Sequence, residues 1–301
     1  MIKYIFVLMI SLSVCFVMTP VARKISFRFG ILDIPGPAKL HKVVVARAGG
    51  LAIFAGFLAA VVYLVLSGTI GTYHLRVIVS GGAIMLLLGL WDDIRGTSPQ
   101  VKFAVQSAVA SALILNGVRI GFLPSYLSVP LTLFWIVGVT NAVNLEDGMD
   151  GLAAGISGAA CFIFFLAGLM QGNDVLVFMS LALSGSCLGF LKHNFFPASI
   201  FMGDTGSMFL GYMLSVLGVI STLNVENPLN LLVPVLILGV PVLDTLLAMV
   251  RRFLKRENIF RSDRGHFYDM MMDSRRLSYQ QVVIAIYIFS ILLGVSSLCL
   301  I

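Results

Sequence analysis

Long apolar segments recur along the whole of this 301-residue chain, and they limit its possible folds more than any other feature. An α-helix needs about 20 mostly apolar residues to cross a hydrocarbon layer roughly 30 Å thick. Ten such segments can be recognised, without a long polar insert between them: residues 3–20, 48–67, 77–92, 101–119, 129–146, 151–170, 174–191, 207–223, 229–250 and 280–300. The sequence therefore predicts an all-α, polytopic bundle of about ten transmembrane helices, forming a single domain over residues 1–301.

The composition excludes an ordinary soluble protein. Hydrophobic residues make up 59% of the chain and charged residues only 11%, whereas soluble domains are roughly 45–50% apolar. The four cysteines lie singly in apolar segments and show no CxxC spacing, so they indicate neither a disulfide framework nor a metal site. The first segment is followed by Pro20 and basic residues rather than by a small-residue cleavage site, which favours a retained anchor.

Basic residues are distributed unequally between the two sets of loops. Only Lys3, Arg76 and Arg119 fall in one set, and the other 17 of the 20 Lys and Arg residues fall in the second. By the positive-inside rule the second set is cytoplasmic, which places both termini on the outer side of the plasma membrane. The net charge of +6 is then a feature of the inner surface, where it favours membrane lipids and phosphorylated ligands as partners, and we expect no nucleic acid partner.

Four polar clusters stand at helix ends on the predicted cytoplasmic side. The first holds the adjacent acids Asp92 and Asp93, which end the third segment, and Lys102, which opens the fourth. Neighbouring carboxylates raise each other's proton affinity unless a cation lies beside them. Taken alone, the acidic pair is explained equally well as a helix stop.

The second cluster is the stretch "NAVNLEDGMDGL". Asn141, Asn144 and Asp147 are spaced three residues apart, which puts them on one face of the fifth helix near its cytoplasmic end. Asp150 is a candidate N-cap for the next helix. Capping accounts for Asp150 but not for the other three residues together.

The remaining clusters are a glycine-rich turn and a basic loop. In "FMGDTGS", Asp204 lies between Gly203 and Gly206 at the start of the eighth segment, where free backbone N–H groups favour phosphate binding. The alternative explanation for this motif is a helix N-cap flanked by glycine turns, without a ligand. The basic loop over residues 251–276 contains His266, and by itself it is typical of a topogenic segment.

One chemical requirement connects the four clusters. Carboxylate and amide oxygens on one surface are suited to Mg²⁺, a hard ion that takes one or two carboxylates together with substrate phosphates. Nearby Lys, Arg and His side chains would neutralise those phosphates. The pattern predicts phosphoryl transfer at the cytoplasmic face of the membrane.

The order of these motifs is similar to that of a known enzyme family. An acidic pair, NxxNxxDGxDGL, FMGDxGS and a late basic histidine loop resemble the polyprenyl-phosphate N-acetylhexosamine-1-phosphate transferases, and the resemblance extends to "HKVVVARAGG" and "PVLDTLLAMVRR". It implies transfer of a sugar-1-phosphate from a UDP-N-acetylhexosamine such as UDP-GlcNAc to polyprenyl (undecaprenyl) phosphate. UMP is released and a polyprenyl-diphospho-sugar, the first membrane intermediate of envelope glycan synthesis, is formed.

The same resemblance implies roles for individual residues. Asp204 would be the main ligand of Mg²⁺, with Mn²⁺ as an alternative ion, and Asn144 a second ligand. Asp92, Asp93 and His266 would join Asp204 as catalytic residues. Substrate binding would fall to Lys39, His41, Arg47, Lys102, Asn141, Asp147, Asp150 and Arg264. The resemblance also suggests a homodimer, and it leaves open both a direct transfer and a route through an aspartyl-phosphate.

The chain departs from the family pattern in the last cytoplasmic loop. Where related enzymes often have His-x-His-His, this chain has His266 followed by Phe267, Tyr268 and Asp269, which disfavours a peptide-bearing muramyl donor. Ala46 also stands where a proline is common.

Two rival functions have different sequence signatures. A transporter or lipid flippase would suit ten apolar spans, but such proteins bind their substrates near mid-bilayer between repeated halves, and we find no internal repeat. A CDP-alcohol phosphotransferase would need DGxxAR, whereas Asp150 and Gly151 are followed by "LAAG".

Overall fold

The computed structural model describes residues 2–36, 41–121, 123–223, 228–255, 267–273 and 277–301, and most of them are helical. The helices are α1 (Ile2–Phe29), α2 (Gly50–Leu66), α3 (Tyr73–Arg95), α4 (Pro99–Leu115), α5 (Ser125–Leu145), α6 (Leu152–Gln171), α7 (Asp174–Asn194), α8 (Gly203–Ile220), α9 (Leu232–Ile237), α10 (Gly239–Lys255), α11 (Phe267–Asp273) and α12 (Tyr279–Ser297). Two short antiparallel strands, β1 (Leu32–Asp33) and β2 (Val45–Ala46), connect α1 to α2. The predicted all-α class is confirmed apart from this two-stranded ribbon.

Each predicted apolar segment contains at least one helix. Among the described residues, seven helices are long and apolar enough to cross a membrane, or eight if one bent pair counts as a single span. The helices α2 and α4 are also apolar, but each has only 17 residues. The total of ten spans therefore stays a prediction.

The ninth predicted segment is not one continuous helix, so that prediction is wrong in detail. The pair formed by Pro228–Ile237 and Gly239–Lys255 is bent by 85°. Pro241 has no N–H to donate to the carbonyl of Ile237, the last residue of α9, and its ring would clash with that carbonyl in a continuous helix. The turn at Leu238 avoids this clash, and a new helix starts at Gly239.

The first helix is longer than predicted. We expected it to end at Pro20, but α1 continues to Phe29 through that proline. Small buried side chains recur along one face and continue past Pro20 at Ala22 and Ser26, and α1 packs along α7 and α2. This packing offsets the hydrogen bond that Pro20 removes. Arg23 and Lys24 consequently lie on a helix rather than in a loop.

Helix α8 occupies the centre of the bundle. It packs against α2, α3 and α5, and every one of its residues except Asp204 is buried. Its side chains are apolar or small around the whole circumference, which is the pattern of a fully enclosed helix. The start of α8 is therefore surrounded by the ends of other helices.

Two glycines allow this close approach. A Cβ at Gly50 in α2 would overlap the backbone of Gly206, and a Cβ at Gly89 in α3 would overlap the carbonyl of Asp204. The backbones of α2 and α3 thus touch the first turn of α8 directly. This contact places the end of α3, with Asp92 and Asp93, beside Asp204.

We predict that Gly89→Ala separates α3 from α8, because the added methyl group would overlap backbone atoms that cannot rotate away. Overpacking of this kind costs about 1–3 kcal/mol, so thermal unfolding in detergent should occur at a lower temperature. Gly138→Ala in α5 is the matched control, since its methyl group would meet no atom within 4 Å. Equal melting temperatures for Gly89→Ala and the wild type would contradict the packing described here.

Candidate active site

The first turn of α8 carries a carboxylate held between two cations. The Asp204 Oδ2 atom is 2.6 Å from Lys102 Nζ, and its Oδ1 atom is 3.1 Å from a terminal nitrogen of Arg47. Lys102 Nζ also lies 2.8 Å from Asp92 Oδ2. One ammonium group thus bridges the carboxylates of α3 and α8, and it lies where a bound cation would neutralise both.

Asp93 has a different environment from its neighbour Asp92. Its side chain is fully buried and accepts hydrogen bonds from the backbone N–H groups of Asp204 (3.0 Å) and Thr205 (2.9 Å) and from the Thr205 hydroxyl (2.6 Å). Arg47 Nε lies 3.0 Å from Asp93 Oδ1. Asp93 therefore caps the N-terminus of α8 from another helix, where a negative charge is favourable.

The two asparagines of α5 face α4 and α8. The Asn144 amide donates to Ser207 Oγ at 2.7 Å, three residues after Asp204. Asn141 forms a reciprocal amide pair with Gln106 at 2.8 and 3.3 Å. Sequence reasoning missed Gln106, although its position one helical turn after Lys102 was an available signal.

The turn between α5 and α6 carries Asp147 and Asp150 toward the same site. Burial raises the pKa of Asp147, and the negative charge of Asp204 raises it further. Burial also raises the pKa of Asp150, opposed by the 2.9 Å hydrogen bond from the Ala198 N–H. Both carboxyl groups therefore hold their protons more tightly than an exposed aspartate does.

Arg47 connects the β-ribbon to the acidic cluster. Burial alone would lower the pKa of its guanidinium group, but the carboxylates of Asp93 and Asp204 outweigh burial and raise that pKa. Arg47 therefore remains charged. In the loop between the strands, the His41 ring packs edge-on against Phe201 with centroids 5.2 Å apart, and His41 Nε2 is 4.0 Å from Asp33 Oδ2.

The structure thus brings together Arg47, Asp92, Asp93, Lys102, Asn144, Asp147 and Asp204, with Asn141 and Asp150 at the margin. The predicted residues Lys39, Arg264 and His266 lie outside the described residues. Within the described ranges, no group of three or more His, Cys, Asp or Glu side chains has the geometry to hold a metal ion by itself.

Glu146, directly before Asp147, is a further buried acid, and the sequence motifs assigned it no role. Glu146 is 3% exposed. Burial, followed by the nearby charge of Asp244, raises its pKa to about 8. Asp244 itself accepts a hydrogen bond from the Phe267 N–H at 2.7 Å, which connects α10 to α11.

Comparison with known proteins identifies the family. The sequence pattern of glycosyl transferase family 4 matches residues 75–222. A probable undecaprenyl-phosphate N-acetylglucosaminyl 1-phosphate transferase from Bacillus subtilis is 36% identical over 310 aligned residues, which cover 100% of this chain and 86% of the relative. The chain belongs to glycosyl transferase family 4. The resemblance seen in the motifs is confirmed.

Two further relatives show how the similarity is distributed along this family 4 chain. A decaprenyl-phosphate N-acetylglucosaminephosphotransferase from Mycobacterium tuberculosis is 35% identical over 303 residues, covering 89% of this chain and 75% of the relative. A phospho-N-acetylmuramoyl-pentapeptide-transferase from Limosilactobacillus fermentum is 35% identical over 170 residues, covering only 52% of each chain. With seven described helices that are long and apolar enough to cross a membrane, this family 4 chain is an integral membrane protein.

We predict that the two adjacent aspartates of this family 4 protein differ in their effect on stability. Asp93→Asn introduces an amide N–H toward groups that are themselves donors, and losing hydrogen bonds to a buried charge costs about 1.5–3 kcal/mol. Asp92→Asn removes one ion pair but also relieves repulsion with Asp204, so it should unfold close to the wild-type temperature. Thermal unfolding in detergent measures the stability of both variants. A larger fall in melting temperature for Asp92→Asn than for Asp93→Asn would contradict the capping role of Asp93.

We also predict that Glu146 makes stability depend on pH. Its pKa rises from an ordinary 4.5 to about 8 on folding, so the folded state binds more protons in that window and the free energy of unfolding falls as pH rises through it. Glu146→Gln should flatten melting temperatures measured between pH values of about 5 and about 9. Asp174→Asn, a change at an exposed acid at the start of α7, is the control that should keep the wild-type dependence.

Proposed function

We propose that this protein transfers N-acetylhexosamine-1-phosphate from a UDP-sugar, UDP-GlcNAc in the first instance, to a polyprenyl phosphate, with release of UMP. The observation that carries the proposal is the meeting of Asp92, Lys102, Arg47 and Asp204 at the start of α8. It is supported by a whole-chain relative named for undecaprenyl phosphate and N-acetylglucosamine 1-phosphate. The muramyl relative matches over only 52% of the chain, which favours the simpler sugar.

The reaction exchanges one diphosphate bond for another. An oxygen of the acceptor phosphate forms a bond to the phosphorus that carries the sugar, and the bond from that phosphorus to UMP breaks, with the electron pair leaving on the UMP phosphate. The second pKa of a phosphate monoester is about 6, so near neutral pH the acceptor is already mostly dianionic. Asp92 then serves mainly to orient the acceptor and its cation rather than to remove a proton.

Lys102 and Arg47 supply positive charge for the phosphates. Both side chains are part-buried, and each reaches Asp204 from a different element, α4 and the end of the β-ribbon. When donor and acceptor bind, these cations can shift their hydrogen bonds from carboxylate to phosphate oxygens, which arginine and lysine bind in the same way. The two cations would thereby reduce the repulsion between the two anionic substrates.

The residues present also fit a divalent cation. Three carboxylates, Asp92, Asp93 and Asp204, meet two cationic side chains, so the cluster keeps one excess negative charge, and Lys102 bridges two of the carboxylates at 2.6 and 2.8 Å. Mg²⁺ typically takes one or two protein carboxylates and completes its shell with substrate phosphates and water. Asp204, with Asn144 nearby, would hold Mg²⁺ or Mn²⁺. A bound ion of this kind offsets negative charge on the transferred phosphoryl group.

Helix α10 offers a surface for the lipid tail. Its buried face includes the charged residues Asp244 and Arg252, whereas Leu243, Leu247 and Leu254 are exposed. An exposed apolar face on a helix that starts with an 85° bend is suited to acyl or isoprenoid chains. We propose that the polyprenyl chain lies along this face.

The distribution of basic residues indicates which side of the membrane the site faces. The polar cluster lies at the end of α3, the end of α5 and the start of α8, which is one end of the bundle. The basic residues concentrate in the loops at that end, and by the positive-inside rule we propose that the site faces the cytoplasm and that both termini lie outside. UDP-sugars are then delivered directly from the cytosol.

The proposal predicts that purified protein releases UMP from UDP-GlcNAc only when a polyprenyl phosphate and Mg²⁺ are both present, and that a chelator stops the release. Asp204→Asn should fold normally yet lose about 100-fold or more of this rate, because metal stabilisation of developing charge is worth several kcal/mol. A coupled UMP assay and thermal unfolding together measure both quantities.

Asp174→Asn makes the same chemical change in the first turn of α7 and should keep the wild-type rate. If a panel of UDP-sugars yields no UMP while the protein moves a solute or lipid across vesicle membranes, the transporter alternative is correct. Full activity in Asp204→Asn would remove this residue from the proposed metal site.

A further inference from the structure

Two tyrosine hydroxyls of the C-terminal helix hold the turn between α5 and α6. The hydroxyl oxygen of Tyr279 accepts a hydrogen bond from the backbone N–H of Asp150. The hydroxyl of Tyr287 donates to the carbonyl of Gly151 at 2.6 Å. Both groups of α12 therefore reach consecutive residues of the turn that carries Asp147.

The same turn is also tied to the segment that leads into α8. The Gly151 N–H donates to Asn194 Oδ1 at 3.1 Å, and the Asn194 amide donates to the carbonyl of Ile200 at 3.0 Å. Asp150 Oδ2 accepts from the Ala198 N–H at 2.9 Å. These bonds connect the turn after α5 with the backbone just before Asp204.

Neighbouring residues hold each tyrosine ring in place. Ser278 and Gln281 form a capping box that makes Tyr279 the first residue of α12, and the Phe196 ring packs on the Tyr279 ring with centroids 4.5 Å apart. The Tyr287 ring lies against α6 so closely that a Cβ at Gly155 would overlap it. Neither hydroxyl can move far from its backbone partner without unpacking its ring.

A small apolar cluster packs beside the hydrogen bonds between the turn and α12. Met149, Leu152 and Ile156 at the turn and in α6 pack with Tyr268 of α11 and Val283 of α12, separately from the main core of the bundle. The turn is thus attached to α12 on one side and to the segment before α8 on the other. A displacement of α12 would move Asp147 relative to Asp204.

We propose that Tyr279 and Tyr287 are positioning residues, which act through the backbone of Asp150 and Gly151 to set the place of Asp147 beside Asp204. This inference rests on the proposed transferase function for its kinetic consequence. Its structural part, the attachment of the turn to α12, holds independently of the reaction. In a reaction that depends on alignment, a shift of about 1 Å can cost 100-fold in rate.

Tyr279→Phe and Tyr287→Phe test the proposal, because each removes one hydroxyl and keeps the ring. We expect kcat for UMP release to fall at least tenfold in each variant while the KM for polyprenyl phosphate stays near the wild-type value. Backbone hydrogen exchange in peptides covering residues 146–155 should accelerate in both variants. Exchange in α5 before residue 140 should not change.

Tyr212→Phe is the matched control. Tyr212 lies in the buried middle of α8, and its hydroxyl donates to the carbonyl of Ile78 at 3.1 Å, so the substitution also removes a hydrogen bond between a tyrosine hydroxyl and the backbone, but away from the turn. It should lower the melting temperature as much as the other two variants and keep kcat. If a general loss of stability lowered kcat, it would do so in all three tyrosine variants. A fall in kcat that is limited to Tyr279→Phe and Tyr287→Phe therefore indicates positioning.

Two results would overturn the proposal. One is hydrogen exchange of residues 146–155 at the wild-type rate in both tyrosine variants, which would show that the hydroxyls do not hold the turn. The other is wild-type kcat in both variants despite faster exchange, which would show that the rate does not depend on where the turn holds Asp147. If the wild-type protein releases no UMP from any UDP-sugar, the transferase function fails, and the exchange measurement still decides whether the hydroxyls hold the turn.

Discussion

The contact between Asp93 and the N-terminus of α8 is the interaction on which the site depends. A helix end buried inside a membrane protein leaves backbone N–H groups without water, and each unpaired group is costly. Asp93 accepts from two of these N–H groups and from the Thr205 hydroxyl, and Arg47 balances its charge. This arrangement allows α8 to begin deep among other helices, with Asp204 directed toward Asp92 and Lys102.

Charge balance explains why so many ionisable groups are tolerated together. Asp92, Asp93 and Asp204 would repel strongly if they stood alone, but Lys102 and Arg47 each pair with two of them. The resting cluster therefore keeps only one excess negative charge and already contains the cationic groups that anionic substrates need. Preorganised charges of this kind need little rearrangement during reaction, which is where most electrostatic catalysis originates.

The sequence predicted the helices well because hydrophobic length is a local property, and each apolar segment contains at least one helix. It did not predict the break at Leu238. Pro20 and Pro130 lie inside continuous helices while Pro241 lies next to a break, so packing rather than proline alone decides the outcome. The meeting of Asp92 with Asp204 was also predictable, because both motifs lie at helix ends on one side.

The sequence could not predict that Asp93 caps α8 while Asp92 pairs with Lys102, because this difference depends on where α8 begins. The roles of Tyr279 and Tyr287 were equally hidden, because their hydroxyls bind backbone groups 129 and 136 residues away. Backbone partners leave no pattern of side chains to recognise. Lys39, Arg264 and His266 remain predictions based on the family resemblance.

The glycine contacts of α2 and α3 with α8 have a mechanical consequence. Because Gly50 and Gly89 bring main chain against main chain, the spacing between these helices is determined by hard backbone atoms rather than by rotatable side chains. A change of side-chain rotamer in α2 or α3 therefore leaves the distance from these two helices to the first turn of α8 unchanged.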